Sequence, residues 1–588
     1  VTVPTTTGHP VEERERRETR PRAMTSARER ARARLRTMRR RLDPVGLTLA
    51  VVMTWYALSP SLLPRHWWMT AASVAASMMY AYPLGIVLHK LYRLVSRLLG
   101  LRVEVSAVSR VWLRRLLYLG LAVGTWLAWF GSLGQQEEIA RLVNARSHGW
   151  QAQLVGLLSG IAIFAVLLQL ARGIRWVYRA TKRLISPVVP QVLLPVTAGA
   201  LIIVTLIFVN NQVLYRQFVE RALESNIARN AQVLPGRSQP MEPERSGSPA
   251  SYEPWETLGQ MGQAMVHDGP RAEDIERVTG RPAMTPIRVY AGKLQNRSLE
   301  ATVDAAIREL HRTGAFDRSV LHVLTSTGTG WTQEWTMSAV EYLTGGDSAT
   351  VSIQYSYFPS GLAYLTDRET PAEAGRAFFE AVYEEWSRLP EDDRPRLVTS
   401  GESLGSFAGQ SAFDSVEDML SKVDGAVWSG TPRFTPLWAE LTANRQPGSP
   451  EVAPVIDNGR NIRFVTRPEE LQHDYFGGPY VDWEFPRVVY VQHPSDPVVW
   501  WSWDLLWSEP DWMREHVGHD VTTEMAWLPW ITFWQLASDM PLSDGVPGGH
   551  GHNYHEEMIP VWAAVLGMDP TADYSAIEEA IRAKLLPT

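Results

Sequence analysis

Two hydrophobic patterns divide this sequence. Up to about residue 210, apolar side chains come in nearly uncharged runs at 45–63, 67–88, 116–133, 154–171 and 189–209. Each approaches the ~20 residues an α-helix needs to cross a bilayer. Core helices of water-soluble domains rarely run this long without a charge, so the pattern predicts five membrane spans. Pro60, Pro64 and Pro83 fall near span ends, where a broken helix is tolerated, although Pro83 is placed to kink the second span.

The second pattern begins near Pro286, where short apolar runs alternate with amphipathic stretches, as in a mostly parallel sheet flanked by helices. Strands are predicted at 287–291, 319–324, 350–355, 398–400, 423–428, 462–466 and 487–492, and helices at 299–312, 372–388 and 574–585. Between the two patterns, 212–232 reads as an amphipathic continuation of the last span. Residues 235–254, rich in Pro, Ser, Gly and Glu, read as a linker. The expected organisation is therefore a basic arm (1–43), a helical membrane domain (44–210), an amphipathic helix with linker (211–285) and an α/β domain (286–588).

Charge sharpens this division. Residues 1–211 carry 28 Lys and Arg against 9 Asp and Glu, and the remainder carries 29 against 54, out of 57 and 63 in the whole chain. The first 43 residues form an Arg/Glu arm without an apolar stripe or a signal-peptide cleavage pattern. Basic residues then cluster in every second connection: Lys90, Arg93, Arg97, Arg102, Arg110, Arg114 and Arg115, then Arg172, Arg175, Arg179, Lys182 and Arg183. The connections at 59–66 and 135–153 are poor in them. By the positive-inside rule the N-terminus is cytoplasmic, and five spans put the α/β domain outside the cell membrane. The chain has no cysteine, which excludes disulfides, thiol catalysis and Cys-ligated metals.

Candidate chemistry centres on Gly401-Glu402-Ser403-Leu404-Gly405, into which the short apolar strand from Val398 runs. Gly-x-Ser-x-Gly between a strand and a helix is a nucleophile elbow, a strained turn that lifts the serine hydroxyl clear of the sheet. The bare pattern is common, so its surroundings must support it. A serine nucleophile needs a base and a group to orient that base. Asp496 follows the strand 487–492 and precedes Pro497, where it either holds an imidazole or caps a turn. His550, His552 and His555 lie in the glycine-rich stretch 548–555. Ser, Asp and His occur in the chain order of α/β-hydrolases. Thr327, Gly328, Thr329 and Gly330 follow the strand 319–324, and no Gly-Lys-Ser/Thr succeeds them, which removes a phosphate-binding-loop reading. A rival reading gathers His550, His552, His555 and Glu556 with His516, His519 and Asp520 around a metal, but no HExxH pattern is present.

The motifs TSTGTGW (325–331), GESLG (401–405), HPSDPV (493–498) and GHGHNY (549–554) make 286–588 resemble an α/β-hydrolase catalytic domain. The whole chain resembles a bacterial family, frequent in actinobacteria, that fuses several membrane spans to such a domain. This resemblance implies Ser403 as nucleophile, Asp496 as acid and a histidine of the last motif as base. His552 is preferred, because Gly-His-x-Tyr running into a helix is the commoner arrangement; His550 and then His555 follow it. It also implies an oxyanion hole from the N–H of Leu404 and an N–H among Thr327, Gly328 and Thr329. That loop departs from the His-Gly-Gly form of many esterases.

The expected function is a membrane-anchored serine hydrolase or acyltransferase acting on an ester of a lipid or other apolar acyl group, with no cofactor and no metal. Expected partners are that substrate, the membrane and a second copy of the chain through the membrane domain; nucleic acid is not expected. A non-catalytic scaffold or transporter with a binding-only domain is the alternative, since five spans exceed what anchoring needs. The dense tryptophans Trp500, Trp501, Trp503, Trp507, Trp512, Trp527, Trp530 and Trp534 are read as core of an insertion before the histidines, some lining an acyl pocket or resting at the bilayer interface.

Overall fold

The computed structural model describes residues 42–100, 106–361, 363 and 367–586; the basic arm up to residue 41 and Arg102 lie outside them. Four helices among the described residues are long and apolar enough to cross a membrane: Trp67–Leu98, Ala107–Leu142, Gly149–Ile185 and the run Leu194–Asn230. The predicted first span, 45–63, is different. Its helix, Pro44–Ala57, has 14 residues, about 21 Å at the α-helical rise against a hydrocarbon core of ~30 Å. Pro60 and Pro64 cannot donate a backbone hydrogen bond, and the chain leaves the helix before them. The apolar residues that follow, Leu62 and Leu63, are buried in a hydrophobic cluster with Trp501, Phe533, Leu536 and Val546. An apolar run alone does not distinguish lipid-facing from core-facing burial.

The chain forms two compact units: the part up to Met53 with Met78–Leu121, and Thr54–Ser77 with the part from Ala122 onward. In the first, Gly46 and Gly85 bring two helices into backbone contact, since a Cβ on Gly85 would overlap Gly46. Asp43 accepts from the backbone N–H of Gly46 and pairs with His89 at 2.7 Å.

The second unit contains a sheet of seven parallel strands among the described residues: β1 Ile287–Ala291, β2 Val320–Thr325, β3 Ser348–Ile353, β4 Arg396–Glu402, β5 Gly425–Ser429, β6 Ile462–Val465 and β7 Arg487–Val491. Their order is β1-β3-β2-β4-β5-β7-β6. Strand side chains alternate between faces, and two hydrophobic clusters divide accordingly. Leu397, Ala426, Trp428, Val488 and Tyr490 join one cluster; Val398, Val427, Val489 and Val491 join the other. Helix Glu369–Ser387 packs with both Leu299–Thr313 and Leu404–Gln410, and Glu334–Leu343 packs with Met558–Val565 and Ser575–Lys584.

Residues 235–254, expected as a linker, are packed in this unit. Arg245 and Ser246 are fully buried. The Arg245 guanidinium donates to the carbonyls of Val266, Asp268 and Pro270, and Ser246 N–H donates to the Arg288 carbonyl at 3.0 Å. Composition signals irregular backbone, but irregular backbone can be buried once its polar groups are paired.

From β2 the chain passes outward to β3, and from β4 it passes the opposite way to β5. The crevice beyond the carboxyl ends of β2 and β4 is thus a topological switch point, where open parallel sheets place ligands. The TSTGTGW loop leaves β2 there, and Ser403 leaves β4.

Candidate active site

Ser403 stands between β4 and the helix Leu404–Gln410 with φ 57° and ψ −123°. A side chain in this region costs on the order of 1–3 kcal/mol and persists only where neighbours enforce it. Here they do. A Cβ on Gly401 would run into the carbonyl of Gly405, and one on Gly405 into the carbonyl of Thr325. Ser403 N–H donates to the Ser429 carbonyl at 3.0 Å. The serine remains partly exposed between buried neighbours.

Asp496 is fully buried just beyond β7, and both roles open to it in the sequence are filled by one carboxylate. Oδ1 accepts from Val498 N–H at 2.8 Å, capping a short helix. Oδ2 accepts from Nδ1 of His552 at 2.7 Å and from the Tyr554 hydroxyl at 2.7 Å. Since Nδ1 carries the proton, Nε2 is the basic nitrogen of His552. It is buried and makes no hydrogen bond among the described residues. The ring lies against Gly430, where any Cβ would overlap it. Gly430 directly follows Ser429, whose carbonyl holds the Ser403 N–H, so the His552 ring and the serine converge on the end of β5. Burial disfavours the charged ring, but the Asp496 carboxylate more than offsets this and pushes the His552 pKa up to about 9.

The other two histidines are engaged elsewhere. His550 donates from Nδ1 to Asp520 at 3.0 Å. His555 stacks on Trp335 at 5.5 Å between ring centres, and burial lowers its pKa. His516 packs on Phe476, and His519 lies beside Thr466. Among the described residues no three His, Asp or Glu side chains group as metal ligands would.

Two residues of this cluster carried no role in the sequence reading. Tyr554 is the second donor to Asp496. His493 is fully buried, stacks on Tyr554 at 4.2 Å, and contacts the Gly551 carbonyl at 2.8 Å and Glu557 at 3.1 Å. Both of its ring nitrogens face oxygen acceptors, an arrangement that favours the charged ring. Burial opposes this charge, but Glu557 outweighs it and raises the His493 pKa. Both residues lie inside the HPSDPV and GHGHNY motifs, yet spacing alone does not reveal their contacts.

The loop after β2 narrows the oxyanion-hole candidates. Thr327 N–H donates to the Trp331 carbonyl at 3.0 Å, so it is spent within the loop and unavailable to an oxyanion. The Thr329 and Gly330 carbonyls are held by Gln354 at 2.9 Å and the Tyr290 hydroxyl at 2.8 Å. Gly328 N–H makes a long 3.4 Å contact with Ser360 Oγ. The N–H groups of Leu404 and Thr329 have no protein acceptor among the described residues.

A cavity of ≈ 230 Å³ opens beside the elbow, bordered by Trp331, Trp335, Glu402, Tyr554 and His555. Burial raises the Glu402 pKa well above its ordinary value, and its Oε2 has no partner among the described residues. The tryptophan-rich stretch divides by position: Trp500, Trp501 and Trp512 are buried, whereas Trp503 and Trp507 are 56% and 68% exposed.

Residues 287–578 match an alpha/beta-hydrolase family, and residues 58–270 match an alpha/beta-hydrolase family N-terminus. No curated protein and no solved structure matches the chain.

Proposed function

Since the chain belongs to an alpha/beta-hydrolase family, we propose that it is a membrane-anchored serine hydrolase or acyltransferase acting on an ester of a lipid or other apolar acyl group. Ser403 Oγ transfers its proton to His552 Nε2 as it attacks the ester carbonyl. The tetrahedral oxyanion takes hydrogen bonds from Leu404 N–H and from Thr329 or Gly328. Collapse expels the alcohol, which receives the proton from His552 and leaves an acyl-serine. Water or an acceptor alcohol, deprotonated by the same ring, then takes the acyl group. Asp496 fixes the ring tautomer throughout. The observation that carries this reading is the 2.7 Å Asp496–His552 pair with an unengaged Nε2 at a strained serine elbow.

We place this domain on the side of the membrane away from the cytoplasm. The two connections poor in basic residues both pack within its unit: Leu62 N–H donates to Asp539 at 3.1 Å, and Asn144 reaches His550 at 3.0 Å. Connections poor in Lys and Arg favour the outer face, which supports the assignment without a count of spans.

The reading is tested by turnover of nitrophenyl esters of increasing chain length, with and without a competing alcohol. Ester cleavage supports it, and an acyl-alcohol product selects transferase over hydrolase. Failure to cleave any ester in the series would leave only the binding-only alternative.

A further inference from the structure

The catalytic histidine's loop is gripped from two sides by connections of the apolar helical region. The first grip is polar. Asn144, between Ala107–Leu142 and Gly149–Ile185, donates from Nδ2 to Nε2 of His550 at 3.0 Å. This leaves the His550 proton on Nδ1, where it bonds Asp520 Oδ2 at 3.0 Å. The same Oδ2 accepts from the Ser495 hydroxyl, and Ser495 Oγ accepts from Gly551 N–H at 2.8 Å. Donors and acceptors alternate without conflict from Asn144 to the residue before His552. The second grip is apolar: Leu63 closes on Gly551, which has φ 55° and whose Cβ would meet the Ser543 carbonyl. Leu63 is held there by its own loop. Leu62 N–H donates to Asp539, Gln535 donates to the Ser59 carbonyl at 3.2 Å, and the fully buried Arg65 donates to Ser61 and to the Ala57 carbonyl.

Building on the reading that His552 is the base, we propose that Asn144 is a positioning residue for His552, acting through His550, Asp520 and Ser495, so that the helical region completes the active site rather than only anchoring it. The Gly551 N–H is fixed by Ser495 and its carbonyl by His493. The peptide plane on the amino side of Gly551 therefore depends on this network, and His493 holds the plane on the other side. A base displaced by about 1 Å from its attack position can cost on the order of 100-fold in rate. Asn144 governs one of several restraints, so its loss is expected to cost roughly tenfold in kcat.

Asn144 has φ 50°, so alanine there would add backbone strain. Asn144→Gly removes the amide and keeps the left-handed backbone accessible. The experiment uses the full chain in detergent micelles. It measures kcat and KM on a short-chain nitrophenyl ester for wild type, Asn144→Gly, His550→Ala and the double variant, with active sites counted by fluorophosphonate labelling. Asn144→Gly is expected to lower kcat per labelled site about tenfold with KM within twofold, and to cost nothing further once His550 is alanine. A structural role alone would reduce the number of labelled sites, leave kcat per site unchanged and overturn the proposal. Equal losses from Asn144→Gly in both backgrounds would also overturn it. An unlabelled, inactive wild type would instead remove the serine mechanism, and this inference with it.

Discussion

Replacing Asp496 by asparagine tests how the buried carboxylate governs the base. In the native site Oδ2 accepts two hydrogen bonds, from His552 Nδ1–H and from the Tyr554 hydroxyl, while Oδ1 holds Val498 N–H. An asparagine that keeps its oxygen on Val498 turns an NH2 group toward both donors. To avoid that conflict His552 moves its proton to Nε2, the atom that accepts the serine proton in the proposed mechanism. The charged ring also loses its partner. Raising an imidazole from 6.5 to about 9 corresponds to roughly 3 kcal/mol of preference for the charged form, or about two orders of magnitude in the step that creates it. The wrong tautomer adds to this, and a total loss of ~10³–10⁴ in kcat is expected, as for other triads. The assay is nitrophenyl ester turnover alongside a thermal melt, to separate inactivation from unfolding. A folded Asp496→Asn variant within tenfold of wild type would refute this reasoning.

Other outcomes follow from the same geometry. Ser403→Gly relieves a side chain held at φ 57° and should stabilise the fold by about 1–3 kcal/mol while abolishing activity; calorimetry showing no gain would argue against stored strain. Activity should rise with pH towards about 9 as His552 loses its proton. Stability moves the other way: a histidine raised by its carboxylate contributes fully below 6.5, and the contribution is lost as pH rises through about 9. Paired pH–rate and pH–melting profiles check both slopes, and an activity plateau from pH 6 upward would contradict the assignment. Alkaline phosphatase fused after Thr588 should be active, whereas a fluorescent protein folded in the cytoplasm at that position would reverse the orientation.

The sheet was legible because parallel strands buried on both faces leave short apolar runs; each predicted strand overlaps an observed one. The elbow was legible because Gly401 and Gly405 meet backbone from two directions, a requirement written directly in residue type. What sequence did not reveal depends on partners distant along the chain. Leu62 and Leu63 look like the end of a span, yet they are buried in the same hydrophobic cluster as Phe533 and Val546. Thr327 looks available to an oxyanion until its N–H turns back to Trp331. Gly, Ser and Pro at 235–254 suggest a linker, but the fully buried Arg245 ties them to three carbonyls. Asn144 has no motif at all, because a single amide donor gains meaning only when folding sets it opposite His550.

The most direct test of the serine mechanism is to react the full chain with a fluorophosphonate and map the adduct by peptide mass spectrometry. Ser403 alone should carry the phosphonate, and Ser403→Ala should carry none while melting normally. An adduct on another serine, or undiminished labelling of the Ser403→Ala variant, would contradict the account.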